Sequence, residues 1–224
     1  MNEQKNLHCY TIGHSNHPIE DFIQTLKKFQ IQCIIDVRTI PVSTYMPHFN
    51  RENLETWLER EGIEYKYLGN MIGGRYTDPA LLDSQGSVDY EKVEQRSIFQ
   101  AGIDQVCQII DAGKLAALMC SEKDPLDCHR FILVSKALAK KGVSIDHIVF
   151  EGTKDAKGKL IGTLISTSDL EKNYGKCTNR IMRWITKCYT GEEIKKWRLT
   201  SMEKPLKQTL WLIVNWIPSF HSSE

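Results

Sequence analysis

The sequence lacks the features that would identify a membrane protein or a secreted protein. Its longest apolar run, Leu210–Ile217, is much shorter than the roughly 20 residues that a helix needs to cross a bilayer. Residues 1–8 are polar and contain no apolar core, so we expect no signal peptide. Seven cysteines at irregular spacing do not indicate a disulfide framework. We therefore expect a cytoplasmic protein with reduced thiols and no membrane partner.

A strong net charge and a nucleotide-binding glycine motif are also missing. The formal charge of +1 gives no general argument for a nucleic-acid or membrane surface as the partner. Gly73 and Gly74 belong neither to a G-x-G-x-x-G pattern nor to a P-loop, which would continue with Lys and then Ser or Thr. No motif for a redox cofactor is present, so the sequence leaves the cofactor unknown.

The apolar residues alternate between strand-like and helix-like patterns up to about residue 150. Short apolar runs predict buried strands at 9–12, 33–37, 64–68, 115–119 and 145–150. Helical spacing of apolar residues predicts helices at 19–29, 51–61, 90–112 and 131–140. This alternation predicts an α/β fold with a mainly parallel sheet of about five strands and helices on both faces.

The remaining residues predict a second region with a different character. We expect an α/β core domain over 1–150 and a mostly helical C-terminal extension over 151–224, packed on the core or on a second subunit of a homodimer. Between residues 176 and 207, nine basic residues outnumber three acidic ones and alternate with Trp184, Tyr189 and Trp197. This composition fits either a nucleic-acid surface or an amphipathic element that docks its aromatic residues on its own core.

Polar residues follow four of the predicted strands at the points where those strands end. Because ligands bind beyond the carboxyl ends of parallel strands, these residues predict one site at one edge of the sheet. A coincidence of ordinary polar turns is the alternative. The polar residues in question are His14, Ser15, Asp36, Arg38, Cys120 and Glu122, and the flexible glycines Gly69, Gly73 and Gly74 follow the third strand.

The turn over residues 119–130 contains many reactive side chains within a short segment. Cys128 lies near the start of the predicted helix, where the helix dipole lowers a thiol pKa, so it is a candidate nucleophile. His129 or His14 is the candidate base, because neighbouring side chains on a helix point about 100° apart. Glu122 is a candidate general acid–base catalyst. A helix-start cysteine that only packs under the loop is the alternative for Cys128.

Two arginines suggest how a substrate would be held. Arg38 and Arg130, together with helix N-terminal amides, suit a phosphate or carboxylate group. Asp36 and Arg38 point to the same side of their strand, so a purely structural ion pair is equally compatible with the pattern.

Several residues are of metal-ligating types, although their spacing is not that of a known zinc motif. The C-x7-C-H pattern from Cys120 to His129 differs from zinc-finger spacing, and no second C-x2-C pair is present. We therefore predict no metal ligands. A zinc site that includes His14, and a dithiol switch between Cys120 and Cys128, remain alternatives.

Several motifs together resemble a known family. They are Thr11–Ser15, Asp36–Arg38 with Pro41 and Ser43, Leu68–Gly74, Cys120-x-Glu122 and Cys128–Arg130. In this order, over residues 9–150, they resemble the domain of unknown function 488 family. The resemblance implies a compact α/β domain whose motif residues line one pocket, and it implies no particular reaction. Members often carry further arginines where this chain has Val42, Thr44, Tyr45 and Tyr76, which weakens the case for a strongly anionic substrate.

These observations predict an enzyme of hydrolysis or group transfer on a phosphate-bearing small molecule, a nucleotide or a nucleic-acid end. A non-catalytic module that binds nucleic acid or a modified nucleotide, and a thiol or metal-site protein, are the alternatives. The predicted catalytic residues are His14, Glu122, Cys128 and His129. The predicted substrate-binding residues are Ser15, Asp36, Arg38, Gly73, Gly74 and Arg130.

Overall fold

A computed structural model describes residues 7–150, 152, 154–156 and 158–174 of the chain. Within them, one sheet contains β1 His8–Gly13, β2 Cys33–Asp36, β3 Glu64–Tyr67, β4 Ala116–Cys120, β5 Ser144–Val149 and β6 Thr163–Ser166. The strand order is β3-β2-β4-β1-β5-β6, and only the pairing of β6 with β5 is antiparallel. The predicted mainly parallel α/β sheet is therefore confirmed, and β6 is a sixth strand that the sequence patterns did not predict.

The helices of the described residues connect and cover these strands. They are α1 Ile19–Lys28, α2 Arg51–Arg60, α3 Gly69–Ile72, α4 Tyr90–Glu94, α5 Ser97–Asp111, α6 Lys136–Lys140 and α7 Thr167–Tyr174. The helix predicted over 90–112 is divided into α4 and α5, because Arg96 has an extended backbone conformation with ψ 135°. The helix predicted over 131–140 begins as a π-helical segment, Arg130–Ser135, before α6.

Apolar side chains cover both faces of the sheet, as the alternation of strand residues requires. On one face Ile35 and Leu118 belong to a buried cluster with residues of α5 and α6. On the other face Ile34 and Met119 belong to a second buried cluster with residues of α1 and α2. The central strands are apolar on both faces for this reason, and the prediction of helices on both sides is confirmed.

The carboxyl ends of β1 and β4 are joined beyond the strands themselves. The backbone N–H groups of His14 and Ser15 donate to the carbonyls of Cys120 and Ser121, both over 2.9 Å. A Cβ atom at Gly13 would lie 1.9 Å from the carbonyl oxygen of Glu122, so only glycine permits this approach. The loops after β1 and β4 are therefore held against each other at one edge of the sheet.

No helix among the described residues is long and apolar enough to cross a membrane. The first compact unit of the chain ends at Leu170, so it includes β6, which lies beyond the domain boundary predicted near residue 150. The basic and aromatic segment over 176–207 and the apolar run Leu210–Ile217 lie outside the described residues. The predicted packing of this extension on the core or on a second subunit stays a prediction.

Candidate functional site

Four reactive side chains converge where β4 ends, and we call them the thiol–carboxylate cluster: Cys120, Glu122, Cys128 and His129. Glu122 Oε2 lies 2.8 Å from Cys120 Sγ and 3.1 Å from Cys128 Sγ. His129 Nδ1 lies 3.8 Å from the first sulfur and 3.9 Å from the second. The two sulfurs and this nitrogen are all within 4.8 Å of one another. The turn over residues 121–127 thus folds the start of the next helix back over the end of β4.

The orientation of the His129 ring is fixed from two directions. His129 Nε2 lies 2.9 Å from the carbonyl oxygen of Val37, which can only accept a hydrogen bond, so Nε2 carries the proton. The backbone of Gly74 lies against the other side of the ring, where a Cβ atom would be 2.4 Å from His129 Cγ. In the neutral ring the lone pair of Nδ1 therefore faces the two sulfurs.

The two sulfurs are buried, whereas the carboxylate-bearing residue beside them is exposed. Cys120 and Cys128 are 3% and 1% exposed, and Glu122 lies on an exposed part of the turn. In this arrangement Glu122 is open to solvent and the sulfur of Cys128 is not. The role of Cys128 as a nucleophile stays a prediction, and it requires a rearrangement that exposes its sulfur.

The two thiols have different acidities. Burial alone would raise the pKa of Cys128, but a hydrogen bond from Cys120, the charge of Arg130 and the His129 ring lower it well below its usual value. The hydrogen bond to Cys128, followed by burial, raises the pKa of Cys120. Burial opposes the protonated form of His129, yet its interactions with Cys128 raise the pKa of the ring. Cys128 is therefore the more acidic thiol of the cluster.

Arg130 is completely buried and organises the turn. Its Nη1 donates to the carbonyl oxygen of Glu122 over 2.7 Å, and its Nη2 donates to that of Lys123 over 3.2 Å. Its backbone N–H also points to Cys128 Sγ at 3.4 Å. The guanidinium group is therefore buried, and it stabilises the turn that carries Glu122 and Cys128.

Arg38 and Asp36 form a buried ion pair that is separate from the cluster. Arg38 Nη2 donates to Asp36 Oδ2 over 2.6 Å, and Arg38 Nε donates to Asp36 Oδ1 over 2.9 Å. Tyr65 donates to the same carboxylate over 2.7 Å, and the carbonyl of Phe49 accepts from Arg38 over 2.9 Å. The structural interpretation of Asp36 and Arg38 accounts for all these contacts.

His14 completes this second network. Its Nε2 accepts from Arg38 Nη1 over 3.1 Å, and its Nδ1 donates to the carbonyl of Ser15 over 2.8 Å. The ring stacks on Phe49 with a centroid distance of 4.2 Å. Burial, together with the charge of Arg38, lowers the pKa of His14 to about 4. His14 is thus a neutral ring with both nitrogens engaged, and it does not join Cys128.

The other predicted substrate-binding residues lie at the same edge. Ser15 is half-buried with a positive φ of 47°, and its hydroxyl donates to Asn16 over 3.3 Å. A Cβ atom at Gly73 would lie 2.3 Å from the carbonyl oxygen of Gly69 and 2.4 Å from Thr39 Oγ1. Close packing of the backbone therefore explains why Gly73 and Gly74 are glycines, without a ligand.

Two features of the site were not predicted from the sequence. Cys120 was placed at this edge of the sheet but not among the catalytic residues, and its sulfur contacts Glu122. The C-x-E spacing was the available signal, since it places both side chains on one side of an extended segment. Tyr90, at the start of α4, had no motif. It packs against the apolar cluster that contains Cys120 and Cys128, and burial, followed by the charges of Cys128 and Glu122, raises its pKa to about 12.

Comparison with known proteins identifies a family whose function is unknown. No curated protein and no solved structure matches this chain. The family described as "Domain of unknown function DUF488" matches residues 18–137, which include every quoted motif except Thr11–Ser15. Because this match covers more than half of the 224 residues, the chain belongs to the DUF488 family.

Proposed function

We propose that this protein is an enzyme that catalyses hydrolysis or group transfer at the thiol–carboxylate cluster, with Glu122 as the general acid–base catalyst. The observation that carries the proposal is the position of Glu122. Glu122 is exposed and lies at the edge of the sheet where the parallel strands end. Its Oε2 lies 2.8 Å from Cys120 Sγ and 3.1 Å from Cys128 Sγ. A carboxylate between solvent and a buried reactive centre is placed to exchange protons with a bound substrate.

A phosphate-bearing substrate, such as a nucleotide or a nucleic-acid end, is the class we propose. Arg38 and Arg130 are engaged with internal partners, so the supporting groups are the exposed basic residues Lys123, next to Glu122, and Arg75, next to Gly74. The backbone N–H of Arg75 donates to Thr39 Oγ1 over 3.1 Å, which joins this segment to the loop after β2.

That loop offers exposed apolar surface at the same edge of the sheet. Its residues Ile40, Val42 and Tyr45 are 60%, 65% and 87% exposed. An anionic substrate that also carries a planar apolar group would use both features, and a nucleotide is such a molecule. We also propose a reducing, cytoplasmic location, which the free state of Cys9, Cys33, Cys107, Cys120 and Cys128 supports.

Replacement of the proposed catalyst tests this function. Wild-type protein, Glu122→Gln and the control Glu52→Gln, which changes an exposed carboxylate on α2, would be assayed against phosphate esters, nucleotides, and DNA and RNA ends. We expect wild type and the control to turn over one substrate class, and Glu122→Gln to lose about 100-fold or more in kcat. Full activity in Glu122→Gln would refute the catalytic role. Tight binding without turnover by wild type would favour the non-catalytic module that binds nucleic acid or a modified nucleotide.

A further inference from the structure

We propose that Cys120, Cys128 and His129 bind one thiophilic divalent cation of the zinc class, and that Glu122 acts on the water at its fourth coordination position. The binding part of this inference stands on geometry alone, and the catalytic part rests on the proposed function. The C-x7-C-H spacing in the sequence is not that of a known zinc motif, and only the fold brings the three donor atoms together.

The distances between the donor atoms match a coordination shell. Zinc lies about 2.3 Å from thiolate sulfur and about 2.0–2.1 Å from imidazole nitrogen, so a tetrahedral site places sulfur and nitrogen about 3.5 Å apart. The observed distances from His129 Nδ1 to the sulfurs of Cys120 and Cys128 are 3.8 and 3.9 Å. Both values lie at the long end of the range for hydrogen bonds to sulfur, and they are nearly equal, as expected for donors arranged around a common centre. For these two pairs, binding needs a contraction of a few tenths of an ångström, and the two sulfurs, which would lie about 3.8 Å apart around zinc, are within 4.8 Å of each other.

The surroundings of the donors match those of metal ligands. A ligating histidine usually donates its other N–H to a carboxylate or a backbone carbonyl, and His129 Nε2 donates to Val37 over 2.9 Å. The backbone N–H of Arg130 points to Cys128 Sγ at 3.4 Å and would stabilise a coordinated thiolate. Two thiolates would also balance the double positive charge of the cation, so the ion and its two sulfur ligands together add no net charge to the interior.

Three protein ligands leave one position open, which is the arrangement of catalytic zinc sites. Glu122 Oε2 lies beside both sulfurs. Because Glu122 is exposed, its carboxylate can turn toward solvent when an ion binds. In hydrolysis, the bound water gives a proton to Glu122 while its oxygen forms the new bond to phosphorus. The bond from phosphorus to the leaving group breaks, and Glu122 returns the proton to that group.

Direct metal binding tests the proposal with the full-length protein. Chelator-treated wild type would be titrated with Zn²⁺ by calorimetry and with Co²⁺ by absorption, where thiolate ligands give a charge-transfer band. We expect one ion per chain in wild type and in the control Cys107→Ser, a half-buried thiol outside the cluster. We expect Cys120→Ser, Cys128→Ser and His129→Gln to lose this binding. Native mass spectrometry of wild type needs no variant, and it should show one added zinc ion per chain.

The outcomes separate the metal site from the proposed function. Absence of stoichiometric binding in wild type, or full binding in both serine variants of the cluster, would overturn the metal site. Glu122→Gln should keep the ion and lose turnover. Loss of the ion in Glu122→Gln would make Glu122 a fourth ligand and overturn its role on the water. Undiminished turnover of chelated wild type would remove the metal from the mechanism while leaving the proposed function intact.

Discussion

Replacing Asp36 by asparagine should destabilise the fold without acting on the substrate directly. Asp36 and Arg38 are 0% and 4% exposed and are joined over 2.6 Å. In Asp36→Asn the guanidinium remains buried without its counter-ion, and Tyr65 loses a charged acceptor. Breaking a buried pair by removing one partner costs about 3–5 kcal/mol. With a urea m-value of about 2–3 kcal/mol/M, the unfolding midpoint should fall by about 1–2.5 M.

The double variant Asp36→Leu/Arg38→Met provides the decisive comparison. It removes both charges and leaves four neutral groups short of one hydrogen bond each, namely Tyr65 Oη, the carbonyl of Phe49, His14 Nε2 and the backbone N–H of residue 38. At about 1 kcal/mol for each group, its cost should be about 4 kcal/mol, well below the sum of the two single variants. Urea unfolding monitored by circular dichroism gives the free-energy cost of each single variant and of the double variant.

Two results would refute this interpretation of the pair. If each single variant costs less than about 1 kcal/mol, the charges are effectively solvated and free to bind a ligand. If the single costs add up to the cost of the double variant, Asp36 and Arg38 do not stabilise each other. Either result would restore their predicted role in substrate binding.

Two further predictions concern His147 and Gly74. Burial lowers the pKa of His147 from 6.5 to about 3. Between these two pH values the imidazole is protonated in the unfolded chain and neutral in the folded protein. Wild type should therefore lose about 2 kcal/mol of unfolding free energy through this group between about pH 7.5 and pH 5, and urea titrations of His147→Gln should lack that share. In Gly74→Ala the new Cβ atom would meet the His129 ring at 2.4 Å, so calorimetry should show Zn²⁺ binding weakened about 10–100-fold; unchanged affinity would contradict the alignment of His129 by Gly74.

The strands could be predicted because the sequence of a strand that is buried on both faces is a continuous run of apolar residues. Ala116–Cys120 is such a run, Cys33–Asp36 is apolar except for its last residue, and each strand lies between two paired neighbours. β6 has the sequence Thr-Leu-Ile-Ser, lies at the edge of the sheet and exposes Leu164, so its pattern resembles that of a loop. The break at Arg96 depends on the backbone conformation of one residue, which helical spacing on either side does not reveal.

The common edge of the site followed from topology, whereas its division into two networks did not. Parallel strands bring His14, Arg38 and Glu122 to one edge by geometry alone. Whether the Arg38 side chain faces a ligand or Asp36 depends on rotamers and on the distant partners Tyr65 and Phe49. The contact of Glu122 with both thiols likewise depends on how the turn over residues 121–127 folds back.

The two networks are joined by the backbone at the end of β2. Val37 lies between Asp36 and Arg38, its side chain is completely buried, and its N–H donates to the carbonyl of Met119 over 3.1 Å. Its own carbonyl accepts from His129 Nε2. The ion pair fixes the residues on both sides of this carbonyl, and the carbonyl in turn holds the ring through Nε2, which leaves Nδ1 facing the sulfurs. We therefore expect Asp36 and Arg38 to act as positioning residues, whose buried charges hold the His129 ring against the thiol–carboxylate cluster.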